Sequence, residues 1–153
     1  MDKYYTFSVG GKCFNLCGTG LYKAVKKLQG FRIFLTDSCM ARKRVVEAEE
    51  EEAPPLLEQL YPFAFEDVKA MFGRTDTGYI LVMFPDKKKP LYLWTDKGSD
   101  CCFVCGNMEP YLLRFALWMA YGLLFLDEGV LAVHSSCVVY GGRAVMFLGE
   151  SGT

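Results

Sequence analysis

The sequence predicts an α+β domain, a mixed or antiparallel sheet packed on one apolar helix. Three observations carry that prediction. An apolar run, Tyr111 to Leu126, follows a helix-start signal at Asn107-Met108-Glu109-Pro110. Short segments rich in β-formers are separated by turn signals, among them Gly10-Gly11, Pro85 to Pro90 and Gly141-Gly142. At 153 residues and 52% hydrophobic, the chain is long enough to bury a core and too apolar for disorder. The expected organisation is a β-rich N-terminal region at 1–100 and the start of a further unit at 101–153.

The elements follow in order. Tyr4 to Val9 and Lys12 to Leu16 read as two strands around Gly10-Gly11, a hairpin signal. Leu21, Ala24, Val25 and Leu28 recur at helical spacing, which predicts a short amphipathic helix over Gly20 to Gln29, ended by Gly30. Phe31 to Thr36 reads as a strand. Beyond Arg42-Lys43-Arg44, the run from Glu47 to Pro55 carries like charges that repel, and Pro54-Pro55 bar helix or central strand. A solvated, mobile loop is expected there rather than an acidic cation site. Leu56 to Phe72, interrupted by Pro62, predicts two short helical pieces stopped by Gly73.

Tyr79 to Phe84 and Leu91 to Thr95 are strands joined by a polar, Pro-bounded turn. Lys87 to Lys89 read as a solvated hairpin tip, with phosphate contact as the sharper alternative. Cys101 to Cys105 predicts another strand. Pro110 suits the first helical position, and the helix over Tyr111 to Leu126 is apolar nearly all round, hence central to the core. It is shorter than the roughly 20 residues a spanning helix needs, and it carries Arg114. Val130 to Tyr140 and Arg143 to Leu148 are strands, and Gly141-Gly142 fits a turn with positive φ at both positions.

The net charge of −1 gives no general attraction to nucleic acid or to acidic membranes. Seven cysteines without a disulfide-like framework, behind a start that lacks a signal peptide, predict free thiols and a cytoplasmic location. Cys102 and Cys105 have zinc-knuckle spacing, and Cys13 with Cys17 could complete a four-thiolate set. On a strand, however, Cys102 and Cys105 point to opposite faces, which favours buried thiols. Tyr92, Trp94 and Phe103 are expected to pack in the sheet rather than form an aromatic binding face.

The richest signal lies at the C-terminus. A P-loop reads G-x-x-x-x-G-K-[ST] after a strand. Gly149 supplies the first glycine behind the strand Arg143 to Leu148, and Glu150, Ser151, Gly152 and Thr153 supply the variable positions. Small residues there let successive N–H groups turn towards an anion. If Gly141-Gly142 is a two-residue turn, Tyr140 faces Arg143, Val139 faces Ala144 and Cys137 faces Met146. The same count sets His134, the single histidine, opposite Gly149. Histidine can exchange protons near neutral pH or bind metal as neutral imidazole. A catalytic role and a structural role for His134 both stay open. Leu123 to Glu128 imitates a Walker B strand, apolar residues followed by Asp-Glu, but it continues a helical pattern and is expected to be a helix end.

The segment from Gly129 to Thr153 resembles the stretch entering the P-loop in HPr kinase/phosphorylase-like proteins. Phosphoenolpyruvate carboxykinases look similar there, with a histidine on the preceding strand and a Gly-x-Ser-Gly-x-Gly-Lys loop. Leu113 to Gly122 is similar to the preceding helix in bacterial members of the HPr-kinase-like group. The resemblance implies an ATP-binding phosphotransferase that uses Mg²⁺ and acts on a serine or a small-molecule hydroxyl. It implies His134 as the active-site histidine and Gly149, Glu150, Ser151, Gly152 and Thr153 as phosphate-binding. The P-loop lysine, the magnesium-binding hydroxyl and the later acidic residues are not among the residues given. The chain is therefore expected to be the N-terminal part of such a protein, cut inside the P-loop and inactive by itself, with no cofactor bound tightly. The competing expectation is a non-catalytic protein-binding or regulatory module. An open sheet edge at Arg143 to Leu148 predicts self-association.

Overall fold

The computed structural model describes residues 4–131 and 136–147. One mixed eight-stranded sheet dominates, with helices on one face and a separate two-stranded hairpin after them. In chain order the strands are β1 (Tyr4–Val9), β2 (Lys12–Cys17), β3 (Lys43–Glu47), β4 (Glu58–Phe65), β5 (Val68–Arg74), β6 (Gly78–Pro85), β7 (Leu91–Asp96), β8 (Cys101–Gly106), β9 (Ser136–Tyr140) and β10 (Arg143–Phe147). The helices are α1 (Thr19–Val25) and α2 (Pro110–Phe125). The large sheet runs β1-β2-β3-β8-β7-β6-β5-β4. β3 is parallel to both β2 and β8, and every other neighbouring pair is antiparallel.

The expected α+β architecture is therefore present. β8 and α2, beyond position 100, are central to the sheet and core shared with the N-terminal strands. Pro110 stands at the start of α2, where a missing N–H costs nothing. Leu112, Leu113, Ala116, Leu117, Ala120, Tyr121, Leu124 and Phe125 are buried on this helix. They meet Phe7, Phe14 and Leu16 from β1 and β2, Leu91 and Leu93 from β7, and Cys102 and Val104 from β8. Burying a side chain of this size is worth about 1.5–3 kcal/mol, so α2 is the principal apolar contributor to the sheet's helical face.

Several expectations are corrected. Phe31 to Thr36 is not a strand: Gln29–Phe34 is a 3-10 helix that turns Phe31 into the core. It also includes Gly30, and α1 has already ended at Val25. Leu56 to Phe72 is not helical, for β4 and β5 form a hairpin there. Pro62 is tolerated because β4 is an edge strand, whose outer side needs no ladder donor. β3 carries no strand signal of its own, because its charged residues hide an alternation in which Lys43 and Val45 are buried and Arg44 is exposed. Of the strand expected over Val130 to Tyr140, Val130 and Leu131 lie outside any strand and Ser136–Tyr140 is β9.

The acidic segment is also ordered differently. Glu47 ends β3, and its carboxylate accepts hydrogen bonds from the N–H groups of Gly20 (2.7 Å) and Leu21 (3.1 Å). Glu50–Glu52 is a 3-10 turn closed by a capping box with Glu49. Ala48, Ala53 and Leu56 then pack on Ile80, Val82, Trp94 and Cys105, covering the sheet face opposite α2. The segment is a cover on that face, with Glu49 to Glu52 exposed to solvent as expected.

Not all the cysteines are free thiols: Cys13 and Cys39 form a disulfide, Cα–Cα 6.6 Å, that ties the segment before β3 to β2. Cys102 and Cys105 do face opposite sides, into the helical core and under the acidic cover respectively. Burial pushes the Cys102 thiol up to about 12, and burial with the nearby glutamates pushes Cys105 up to about 11. Both stay protonated at neutral pH, and their opposite faces keep the two thiols from meeting at one site. Trp94 and Phe103 stack at 5.5 Å on the covered face.

Candidate functional site

The hairpin β9–β10 forms because Gly141 (φ 56°) and Gly142 (φ 73°) supply the two positive φ angles of a tight hairpin turn. Its register is the one counted from the sequence: Tyr140 opposite Arg143, Val139 opposite Ala144, Val138 opposite Val145, Cys137 opposite Met146 and Phe147 opposite Ser136. His134 and Gly149, Glu150, Ser151, Gly152 and Thr153 lie outside the described residues.

Directly paired residues share a face of the ribbon. One face therefore carries Cys137, Val139, Ala144 and Met146, and the other Val138, Tyr140, Arg143, Val145 and Phe147. Both faces are apolar and both are exposed: Val139 is 74% and Met146 59% accessible on one, Val138 54% and Phe147 58% on the other. A single two-stranded ribbon is marginal in water. This one presents a continuous apolar surface with Arg143 as the single charge on its described strands.

An ionic cluster gathers at the end of α2. Residues Leu126–Glu128 continue it as a 3-10 turn, so Leu123 to Glu128 is a helix end and not a Walker B strand. Gly129 then adopts φ 73°, and the N–H of Val130 bonds to the Phe125 carbonyl at 3.2 Å. The buried Lys43 ammonium donates to the Leu124 carbonyl and pairs with Asp100 (3.4 Å), Glu128 (3.4 Å) and Asp127 (3.6 Å). It also lies 5.2 Å from the Phe125 ring centroid. Lys12 pairs with Glu128 on its outer side.

Burial by itself would lower the Lys43 pKa, but Glu128, Asp100 and Asp127 together hold it above its ordinary value. Glu128 is held below the usual carboxylate range by its hydrogen bond to Lys12, with Lys43 adding to it. An ammonium thus occupies the place between these carboxylates that a divalent ion would need. Among the described residues no cluster of three or more His, Cys, Asp or Glu is arranged to hold a metal.

At the other end of α2, Lys88 pairs with Glu109 at 2.9 Å and Lys89 with Glu50 at 3.5 Å. Lys87 to Lys89 lie exposed in the turn between β6 and β7, the solvated hairpin tip expected, with Lys88 and Lys89 paired to carboxylates. Among the described residues no helix is long and apolar enough to cross a membrane. No family model, no curated protein and no solved structure matches the chain.

Proposed function

We propose that β9–β10 delivers a phosphate-binding loop, and that the chain is the N-terminal part of a P-loop phosphotransferase of the HPr-kinase-like kind. The observation that carries this reading is the hairpin register. Continued by two pairs, the same count sets His134 across from Gly149. Directly opposed residues have Cα atoms within roughly 4.5–5.5 Å, so the imidazole would stand beside the anion cradled by Gly149 to Thr153. In this reading ATP with Mg²⁺ is the phosphoryl donor, a serine or small-molecule hydroxyl the acceptor, and the cytoplasm the compartment. There the Cys13–Cys39 bond would be open to exchange with the thiol pool.

His134 is the single histidine, so its ring-proton resonance is unique in an NMR spectrum. Titration with inorganic phosphate or ATP is expected to move that resonance along a saturable curve. The Gly149→Val variant is expected to abolish the shift. A resonance that does not move, or moves equally in the variant, would sink the reading. ATP turnover by residues 1–153 is expected to be absent.

The exposed apolar ribbon favours a second reading, a non-catalytic module that binds protein through β9–β10, including a second copy of itself. Sedimentation equilibrium is expected to show a mass that rises with concentration. The doubly charged variant Val139→Lys/Met146→Lys, altered on one face, is expected to stay monomeric. A wild-type chain that remains monomeric across a hundredfold concentration range (about 2.7 kcal/mol of association free energy) would count against self-pairing.

A further inference from the structure

A second site stands apart from the hairpin, at the N-terminal half of α2. Tyr111, Arg114 and Trp118 follow one another at i, i+3 and i+7, and so share one strip of that helix. The strip faces the segment Lys27 to Phe34 across an open cavity of about 510 Å³. Its aromatic walls are set by Trp118, whose ring centroid lies 5.4 Å from that of Phe31 and 5.7 Å from that of Phe34.

The charges around this cavity are one-sided. Lys27 and Arg114 line it, and no carboxylate does. Among the described residues neither cation has a carboxylate within ion-pair distance. The cavity beside Lys43 is the contrast, because Lys12, Arg42 and Lys43 there are paired with Asp100 and Glu128. Arg114 is also the single charged residue of α2, otherwise built of apolar residues. Its position is explained by the cavity it lines as well as by solvent.

We propose that this cavity binds a small aromatic anion, a monocarboxylate with a flat ring system. The ring would lie against Phe31, Phe34 and Trp118, and the carboxylate would meet Arg114 and Lys27. The volume falls in the range of small-molecule sites. A planar guanidinium suits a carboxylate bidentately, and aromatic walls supply most of the contact area.

Calorimetric titration of the full chain with 2-naphthoate, and with the neutral 2-naphthamide of the same shape, tests the site. Naphthoate is expected to bind saturably at one site, with a dissociation constant of about 0.1–1 mM for a ligand of this size. The amide is expected to bind roughly tenfold more weakly or worse, having no charge for the cations. Arg114→Gln, an exposed substitution that leaves the core intact, is expected to weaken naphthoate about tenfold while leaving the amide unchanged, and Arg114→Lys to recover part of that loss. A saturable change in tryptophan emission, with the same dissociation constant, should accompany binding beside Trp118. Equal binding of naphthoate and naphthamide would overturn the proposal. So would naphthoate affinity untouched by Arg114→Gln, since the ligand would then sit on another apolar surface such as the hairpin. Heats that stay linear to about 10 mM would overturn it as well.

Discussion

Replacing Gly106 with alanine is expected to unfold the protein or to lower its stability by roughly 4 kcal/mol or more. Gly106 ends β8 at φ 87°, opposite Leu91, and turns the chain towards the start of α2. A side chain there is strained by its backbone angle alone, at about 1–3 kcal/mol. The added Cβ would also run into the carbonyl oxygen of Pro90. That oxygen accepts the N–H of Asn107 at 2.9 Å, so backing away from the clash breaks a backbone hydrogen bond. The obstacle is backbone and cannot rotate aside. Gly98 is the control: it has φ 75° but open space around its Cβ position. Gly98→Ala should cost only the strain, about 1 kcal/mol. Urea unfolding followed by tryptophan emission measures both. Similar losses for the two variants would show that the Pro90 contact relaxes and that the bend into α2 is not over-determined.

The contrast between these glycines bears on what could be read from sequence. Hairpins whose turns need two positive φ angles announced themselves, as at Gly10-Gly11 and Gly141-Gly142. The turn between β4 and β5 did not, because its positive angle falls on Glu66 (φ 52°), a residue that carries no turn signal. With that turn invisible, Pro62 looked like a helix breaker instead of an edge-strand residue. Similarly, β3 owes its place to β2 and β8, neither adjacent to it in sequence, and no local pattern reports a parallel neighbour. The 3-10 helix at Gln29–Phe34 has a strand-like composition, yet only Phe31 is buried there and Ile33 is 80% exposed. Tertiary context overrode propensity at each of these positions.

The candidate site divides the same way. The register of β9–β10 was legible because a tight turn determines every pair that follows it. The roles of Asp127 and Glu128 were not, since their partner Lys43 lies on a strand more than eighty residues earlier in sequence. The cation cavity beside Trp118 was hidden for a related reason. Arg114 was visible as a charge in an apolar helix, but Lys27 and Phe31 reach it only through the fold.

Lys43→Met is expected to cost about 2–3 kcal/mol near neutral pH. Lys43 donates to the carbonyl of Leu124, in the last turn of α2, and its charge sits at the negative end of that helix. Methionine keeps the length and apolar stem but removes the donor to that carbonyl, and leaves Asp100, Asp127 and Glu128 without their shared cation. Because all three carboxylates remain partly exposed, water limits the loss below that of a fully buried pair. The pH dependence follows from the two shifts. Lys43 has a folded-state pKa above its unfolded value of 10.5, so its contribution is whole below that value and disappears as pH rises through the higher one. Glu128 has a folded-state pKa below its ordinary 4.5, so its contribution is present above 4.5 and is lost as pH falls through the lower one. Wild-type stability should fall at both ends, on the alkaline side from about pH 9 because the Cys102 and Cys105 thiols are raised as well, and Lys43→Met should lose only the part of that fall that lies above 10.5 and belongs to Lys43. Neutralising the acids in the same background, with Lys43→Met/Asp100→Asn/Glu128→Gln, should recover part of the stability, because the cost lies partly in the uncompensated carboxylates. Urea midpoints across the pH range decide this. A single variant within about 0.5 kcal/mol of wild type would mean that Lys43 is held by the fold without helping to hold it.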